Sequence, residues 1–152
     1  MAAATLPAIY KFWAYAVQGL LYEICFTALW DFSITPDLRL MGESSIWSLF
    51  VYGLGGLANE YYVFNRIGKK HVVFRMLVNL FYTYAWEYAC GALLRTFGGC
   101  PWDYTERRWN LHGLITLEYA PAWLFAGLLN ERMCLLLQSI CWEKRGHPTK
   151  VE

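Results

Sequence analysis

Four long apolar stretches with at most one charged residue each constrain the fold of this chain more than any other feature. They cover residues 12–30, 45–59, 76–94 and 110–130. At a helical rise of about 1.5 Å per residue, about 15 to 20 residues extend about 23 to 30 Å, the thickness of a hydrocarbon core. The stretches are apolar nearly all round, whereas a core helix of a soluble bundle carries a polar stripe at the helical period. The sequence therefore predicts an all-α integral membrane protein, a bundle of four transmembrane helices.

Composition and motifs narrow the range of functions. Charged residues make up 16% of the chain, against about 25% in ordinary soluble domains. The net charge of +1 gives no electrostatic basis for binding nucleic acid. The sequence contains no zinc-binding helix pair, phosphate-binding glycine loop or nucleophile elbow, and its three histidines are far apart. We therefore expect no metal, no cofactor and no catalytic residue, and an enzyme is the least favoured class.

The predicted helices cover about residues 10–32, 44–64, 71–97 and 110–131. Residues 132–142 are typical of a continuation of helix four or of an amphipathic juxtamembrane segment on the inner leaflet. Residues 1–142 would then form one polytopic membrane domain. The polar tail 143–152 is expected to be disordered.

The distribution of basic residues predicts the orientation of the four crossings. An even number of crossings places both termini and the middle loop on one side, which then carries nine of the 13 basic residues. These nine are Lys11, Arg66, Lys69, Lys70, Arg75, Arg132, Lys144, Arg145 and Lys150. Because cytoplasmic loops carry an excess of Lys and Arg, the N- and C-termini are predicted to be cytoplasmic.

The two halves of the chain resemble each other at fixed shifts. A shift of 64 (87 − 23) lays Lys11 on Arg75 and Glu23 on Glu87, and a shift of 71 (131 − 60) lays residues 56–60 on 127–131. One interpretation is two repeated helical hairpins of the same orientation, packed around an axis along the membrane normal. The other interpretation is chance identity between apolar segments.

Three of the apolar stretches contain one glutamate each, Glu23, Glu87 and Glu118. Glu23 lies eight residues before Asp31, Glu87 eight before Arg95 and Glu118 eight after Asn110, which predicts a common depth of about 12 Å below the outer boundary. Carboxylates that meet away from water cannot all be ionised, so such a layer must share protons, take up a cation or open onto a cavity. The structural alternative is protonated glutamates that serve as hydrogen-bonded contacts between helices.

The second outer loop would lie directly above this layer, and its sequence GGCPWDYTERRW interleaves aromatic, acidic and basic residues. Such a loop is suited to recognise a zwitterionic or phosphate-bearing lipid headgroup, although an interfacial turn held by its aromatic residues is an equal alternative. The predicted ligand-binding residues are Glu23, Glu87, Glu118, Asp103, Arg95, Arg107 and Arg108.

A second group of charges is predicted near the cytoplasmic boundary. Lys11 and Arg75 begin helices one and three, whereas Glu60 and Glu131 end helices two and four. Opposite charges at equal depth on adjacent helices would clamp the helices together, so we interpret this group as structural.

The loop and helix four carry a resemblance to a known family. CPWDY, followed by GLITLEYA and Trp123, resembles the transmembrane protein 229 family, closest to its B-type members, and SSIWSLFVYG agrees with this. TPDLRLMGESS in the first outer loop instead resembles the A-type sequence. The family is similar to bacterial ABC-transporter-type membrane proteins. The resemblance implies a polytopic membrane protein and brings with it no reaction, ligand or catalytic residue.

The leading hypothesis is a transporter-like or ligand-binding membrane protein whose buried glutamates bind a proton, a cation or a lipid headgroup. The first alternative is a non-catalytic subunit or assembly partner of a larger membrane complex or homo-oligomer. The second is an intramembrane enzyme acting on lipid, with a glutamate and Asp103 as acid and base. The second alternative is disfavoured because no histidine or nucleophile is predicted at that depth.

Overall fold

The computed structural model describes residues 4–142, and their fold consists mainly of four helices. The helices are α1 (Ala8–Ile34), α2 (Ile46–Ala58), α3 (Val72–Arg95) and α4 (Ala120–Ser139). α1 packs mainly against α2, and α3 packs mainly against α4. The predicted all-α class is therefore confirmed, with the helices arranged as two sequential pairs. The tail 143–152 lies outside the described residues.

The chain continues helically beyond α2, but with a different winding. A π-helix, Asn59–Phe64, follows directly and ends in one α-helical turn, Asn65–Ile67. The wider winding directs the consecutive residues Asn59 and Glu60 into the interior, where they are 4% and 5% exposed. A π-segment of this kind frequently marks a functional or strained position, and here it supplies two neighbouring polar groups to the core.

The predicted start of helix four at Asn110 is wrong. Residues 110–119 form a tight hairpin of β2 (Asn110–Leu111) and β3 (Ile115–Thr116) followed by a 3-10 turn, Leu117–Tyr119. The hairpin turn places Gly113 in the left-handed region at φ 65°, which favours glycine. α4 begins only at Ala120, with Pro121 in its first turn, where the missing N–H costs no hydrogen bond. The depth assigned to Glu118 from helical rise is therefore wrong as well.

α4 extends through Ser139, so the segment after Glu131 is a continuation of the helix. Beyond it, β4 (Cys141–Trp142) pairs antiparallel with β1 (Ala4–Thr5). The two ends of the described chain therefore meet at one end of the helices. Beside this junction lies the apolar core cluster of Tyr15, Phe64, Cys134 and Leu137.

Within the described residues, α1 is the one helix that is both long and apolar enough to cross a membrane by the usual length and hydropathy criteria. α2 has only 13 residues before the π-helix begins. α3 is long enough, with 24 residues, but it contains Arg75, Asn79 and Glu87. The polar residues that lower the hydropathy of these helices are the ones that form the contacts described below.

Candidate functional site

Glu87 on α3 is the most deeply buried of the three predicted site glutamates, with 8% of its surface exposed. Its Oε1 accepts a hydrogen bond of 2.9 Å from the hydroxyl of Tyr104. Its Oε2 is buried and has no hydrogen-bond partner among the described residues. A buried carboxylate oxygen without a partner is costly, so its presence requires an explanation.

Glu23 on α1 lies close enough to Glu87 for the two carboxylates to interact electrostatically. Its Oε2 accepts a hydrogen bond of 2.6 Å from the hydroxyl of Ser44, which precedes α2. Each of these two glutamates therefore has one oxygen bound by a hydroxyl from an interhelical loop. The structure brings Glu23 and Glu87 together, as their predicted common depth required.

Tyr52 on α2 belongs to the same site, and the sequence analysis missed it. Its ring packs on Gly19 so closely that a side chain at Gly19 would overlap it, and it interacts electrostatically with both Glu23 and Glu87. The sequence does indicate a helix contact at this place, because Gly19 lies one helical turn before Glu23 and small residues at that spacing mark helix contacts. Which side chain fills such a contact depends on packing between helices.

Trp123 is the counterpart of Tyr52 under the shift of 71 residues (123 − 52). Its indole Nε1 is buried and lacks a hydrogen-bond acceptor among residues 4–142. α3 and α4, which carry Glu87 and Trp123, pack against each other. This helix pair therefore contains a buried donor and a buried acceptor that are both unsatisfied.

Glu118 occupies a different kind of position from the other two glutamates. It lies exposed in the 3-10 turn, where it accepts hydrogen bonds from the Thr116 hydroxyl and, at 3.1 Å, from the backbone N–H of Trp109. The hydrogen bond from Thr116, supported by backbone N–H groups, lowers the pKa of Glu118. Glu118 is therefore an ionised group that fixes the turn, and the layer contains only Glu23, which is half-buried, and Glu87, which is buried.

Arg95 and Asp103 hold the second outer loop together. The Arg95 guanidinium donates to the carbonyl oxygens of His112 and Gly113 and lies 3.3 Å from Asp103 Oδ1. Both side chains line a shallow pocket of about 240 Å³ together with Cys100 and Trp102. Arg95 thus points toward the loop and not toward Glu87.

Arg107 and Arg108 are each held by aromatic faces. The Arg107 guanidinium carbon lies 4.8 Å from the centre of the Trp30 ring and 5.4 Å from that of Tyr119. Arg108 lies 5.4 Å from the ring centre of Trp109. These contacts, together with the hydrogen bond from Tyr104 to Glu87, fix the loop over Glu23 and Glu87.

Tyr104 is the loop residue that reaches the site, and the sequence analysis missed its role. Burial raises the pKa of Tyr104, and the charge of Glu87 raises it further. Its hydroxyl therefore remains protonated and donates to Glu87 throughout the physiological pH range.

The second charge group forms two ion pairs at the opposite end of the helices. Lys11 Nζ lies 2.6 Å from Glu60 Oε1, and Arg75 Nη2 lies 3.0 Å from Glu131 Oε2. Both glutamates are about as buried as Glu87, at 5% exposed. The predicted clamp between helices is confirmed.

Equivalent residues surround the two ion pairs. Tyr15 donates to Glu60 at 2.8 Å, and Asn79, its counterpart at a shift of 64, donates to Glu131 at 3.0 Å. Gly56 faces Tyr15, and Gly127 faces Asn79. The repeat hypothesis gains support from these contacts, since chance identity between apolar segments would not place matched partners around matched ion pairs.

Asn59 of the π-helix and Asn130 of α4 extend the hydrogen bonds of the Arg75–Glu131 pair through Asn79. Asn59 donates to Asn79 Oδ1 at 3.0 Å, and Asn130 donates to Asn59 Oδ1 at 3.1 Å. Because Asn79 also donates to Glu131, one buried network joins α2, α3 and α4. The polar groups named here are satisfied within the network, unlike Glu87 Oε2.

Comparison with known proteins finds a family whose model covers most of the chain. The family model described as "Putative ABC-transporter type IV" matches residues 10–145. No solved structure matches the chain. The similarity to bacterial ABC-transporter-type membrane proteins, expected from the loop and helix-four sequences, is confirmed. The match covers both helix pairs, Glu23, Glu87 and the loop above them, and the chain therefore belongs to the family described as "Putative ABC-transporter type IV".

Proposed function

We propose that the chain is a transport-type membrane protein with four spans, in which Glu23 and Glu87 exchange a proton or a small cation beneath the loop that carries Tyr104. The single observation that carries this proposal is Glu87 Oε2, a buried and unpartnered carboxylate oxygen beside a second carboxylate. In a low-dielectric interior such a pair favours sharing one proton or holding one cation. The bound proton or cation would supply the partner that Oε2 lacks.

The distribution of polarity supports four spans. Large apolar side chains face outward, with Phe81 71% and Phe125 63% exposed, while Glu60, Asn79 and Glu87 are buried. Water would penalise this arrangement, whereas lipid favours it, because ionisable residues in membrane helices face the bundle interior. α4, with 20 residues, extends about 30 Å and matches a hydrocarbon core.

The proposal also covers the orientation of the chain in the membrane and the subfamily to which the chain belongs. The pairing of β1 with β4 brings both chain ends to the ion-pair end of the helices, which agrees with an even number of crossings. The excess of basic residues supports a cytoplasmic location for this end and an outer location for the Tyr104 loop. The CPWDY motif supports membership of the B-type transmembrane protein 229 group within the larger family.

The loop residues take part as a lid in this proposal. Tyr104 covers Glu87, while Arg95, Asp103, Arg107 and Glu118 hold the loop in place. Access from the outer side then requires the hydroxyl of Tyr104 to leave Glu87. Proton or cation release on that side is therefore coupled to movement of the loop.

The proposal is tested by proton flux in proteoliposomes after a pH jump, followed with an entrapped pH-sensitive dye. Glu87→Gln keeps the shape and the hydrogen bond from Tyr104 but removes the titrating group, so flux should fall at least about tenfold. The matched control is Glu43→Gln, because Glu43 is exposed and its side chain lies outside the site. Unchanged flux in Glu87→Gln, or wild-type flux no higher than that of empty vesicles, would contradict proton exchange.

Tyr104→Phe should open the lid. The substitution removes the only hydrogen bond that Glu87 receives within the described residues. We expect flux to rise about two- to fivefold and the unfolding free energy to fall by about 1–3 kcal/mol, the cost of leaving a buried acceptor unsatisfied. Flux and detergent-phase thermal unfolding measure the two effects, and a variant with wild-type values in both would exclude a role for the hydroxyl.

A further inference from the structure

The Arg107 guanidinium at the loop end of α1 contacts two aromatic ring faces, those of Trp30 and Tyr119, and the rings of Phe26 and Tyr104 pack against Tyr119. We call Phe26, Trp30, Tyr104 and Tyr119 the ring cage. The ring of Tyr119 is in edge contact with the other three, at centre distances of 5.1 Å to Phe26, 5.4 Å to Trp30 and 5.4 Å to Tyr104. α1, the 3-10 turn and the loop all contribute to the cage.

The cage holds a cation without a counterion. Arg107 lies over Trp30 and Tyr119 and donates to the Tyr119 hydroxyl at 3.0 Å. None of the ion pairs within residues 4–142 includes Arg107, whereas Arg95 in the same region pairs with Asp103. The positive charge of Arg107 is therefore stabilised mainly by ring faces, which attract cations through their quadrupoles.

We propose that the ring cage is a binding site for a quaternary ammonium group, as in a choline-type headgroup, and that Arg107 occupies it in place of the ligand. Aromatic cages recognise quaternary ammonium because this cation is weakly hydrated and cannot donate hydrogen bonds. Guanidinium is also more weakly hydrated than a primary ammonium, which explains why an arginine fits the same cage.

The position of the cage fits a headgroup. Trp30 lies near the end of α1, and Tyr119 lies just before α4 begins, at the level where amphipathic aromatic rings meet the interface of a bilayer. A ligand that displaces Arg107 also removes one anchor of the loop, while Tyr104, Arg95 and Glu118 still hold it. The inference stands on the ring contacts and does not depend on proton exchange by the buried glutamates.

The test is binding of radiolabelled tetramethylammonium to the full chain in a maltoside detergent, which carries no choline group. Arg107→Ala empties the cage and should bind at least about tenfold more tightly than wild type. Arg107→Ala combined with Trp30→Leu should lose this gain. Equal binding by wild type and Arg107→Ala, or a gain that survives loss of Trp30, overturns the proposal.

Arg66→Ala is the matched control, because Arg66 lies 5.9 Å from the centre of a single ring, that of Tyr62, far from the cage in sequence. An equal gain in this control would indicate a general effect of removing positive charge and would overturn the proposal. Far-UV circular dichroism and gel filtration check that the variants are folded.

Wild-type protein provides a second measurement that needs no variant. Tetramethylammonium chloride should increase hydrogen exchange of residues 104–109 relative to sodium chloride at equal ionic strength, and unchanged exchange overturns the proposal.

Competition distinguishes a lipid from a free ligand with the same headgroup. Arg107→Ala is reconstituted into nanodiscs of phosphatidylcholine or of phosphatidylglycerol, and free phosphocholine is added to the second kind. Loss of tetramethylammonium binding in phosphatidylcholine alone supports a lipid headgroup, and loss only with phosphocholine supports a free solute. Full binding in both overturns the assignment of a choline-type ligand.

Discussion

Glu131→Gln is expected to lower the free energy of unfolding by about 3 kcal/mol, the lower end of the cost of breaking a buried ion pair. Glutamine keeps the acceptor for Asn79 but removes the charge that faces Arg75. The side chain of Arg75 is only 21% exposed, and besides Glu131 its guanidinium donates to the carbonyl of Lys70. The loss follows from leaving a desolvated charge without its counterion, and thermal or denaturant unfolding in detergent measures it.

A double-mutant cycle separates this effect from general loss of packing. Arg75→Met in the Glu131→Gln background removes the stranded charge, so the double variant should be more stable than Glu131→Gln alone. Glu60→Gln is the matched variant in the other half, where Lys11 and Tyr15 take the places of Arg75 and Asn79. A loss under about 1 kcal/mol, the value for an exposed pair, would show that water reaches the pair and would contradict a buried clamp.

The helices and the clamp could be predicted from the sequence because both depend on local patterns. Apolar stretches of helical length, each with at most one charge, identify α1, α2 and α3. The positions of Lys11 and Glu60 at the ends of these stretches place both residues at one end of their helices. Residues 110–119 were assigned to a helix because the segment is apolar and contains a single glycine, Gly113. The hairpin forms there instead of a helix because Asn110 pairs with Thr116 and its side-chain oxygen accepts a hydrogen bond of 2.8 Å from the backbone N–H of Gly113.

The site could be predicted only in part because Tyr52 and Tyr104 reach it through packing between distant segments. Helical spacing was enough to pair Glu23 with Glu87, but no local pattern shows that Tyr52 fills the space above Gly19. The same holds for Tyr104, whose hydroxyl reaches Glu87 across a separation of 17 residues. The ring cage depends on contact between α1 and the 3-10 turn, and aromatic residues at these positions are equally typical of a membrane interface.

The two halves of the chain are equivalent at the clamp and different at the site. Glu60 and Glu131 have matched partners, whereas Glu23 receives a serine hydroxyl and Glu87 a tyrosine hydroxyl. The second outer loop is longer, as the difference between the shifts of 64 and 71 residues requires. In the proposed mechanism, the added length lets Tyr104 and Arg107 reach the helices, so the lid lies over one half only.

Gly56→Ala should destabilise the protein, although alanine is the better helix former. A Cβ on Gly56 would overlap the base of the Tyr15 side chain, which cannot turn away because its hydroxyl is fixed by Glu60. α1 and α2 must then separate, and overpacking of this kind costs about 1–3 kcal/mol. Helix propensity returns at most about 1 kcal/mol. We expect a lower melting temperature in detergent, with the helical content unchanged.

The equivalent glycine of the other half provides the control. A Cβ on Gly127 would lie 3.3 Å from Asn79 Cβ, a contact that a small adjustment can accommodate. Gly127→Ala should therefore change the unfolding free energy by less than about 1 kcal/mol, since the propensity gain offsets the tighter contact. The two substitutions are chemically identical and occupy equivalent positions, so a difference between them reports the distance between the helices. Equal effects at both glycines would mean that α1 and α2 are no closer than α3 and α4, and would contradict the packing of Tyr15 on Gly56.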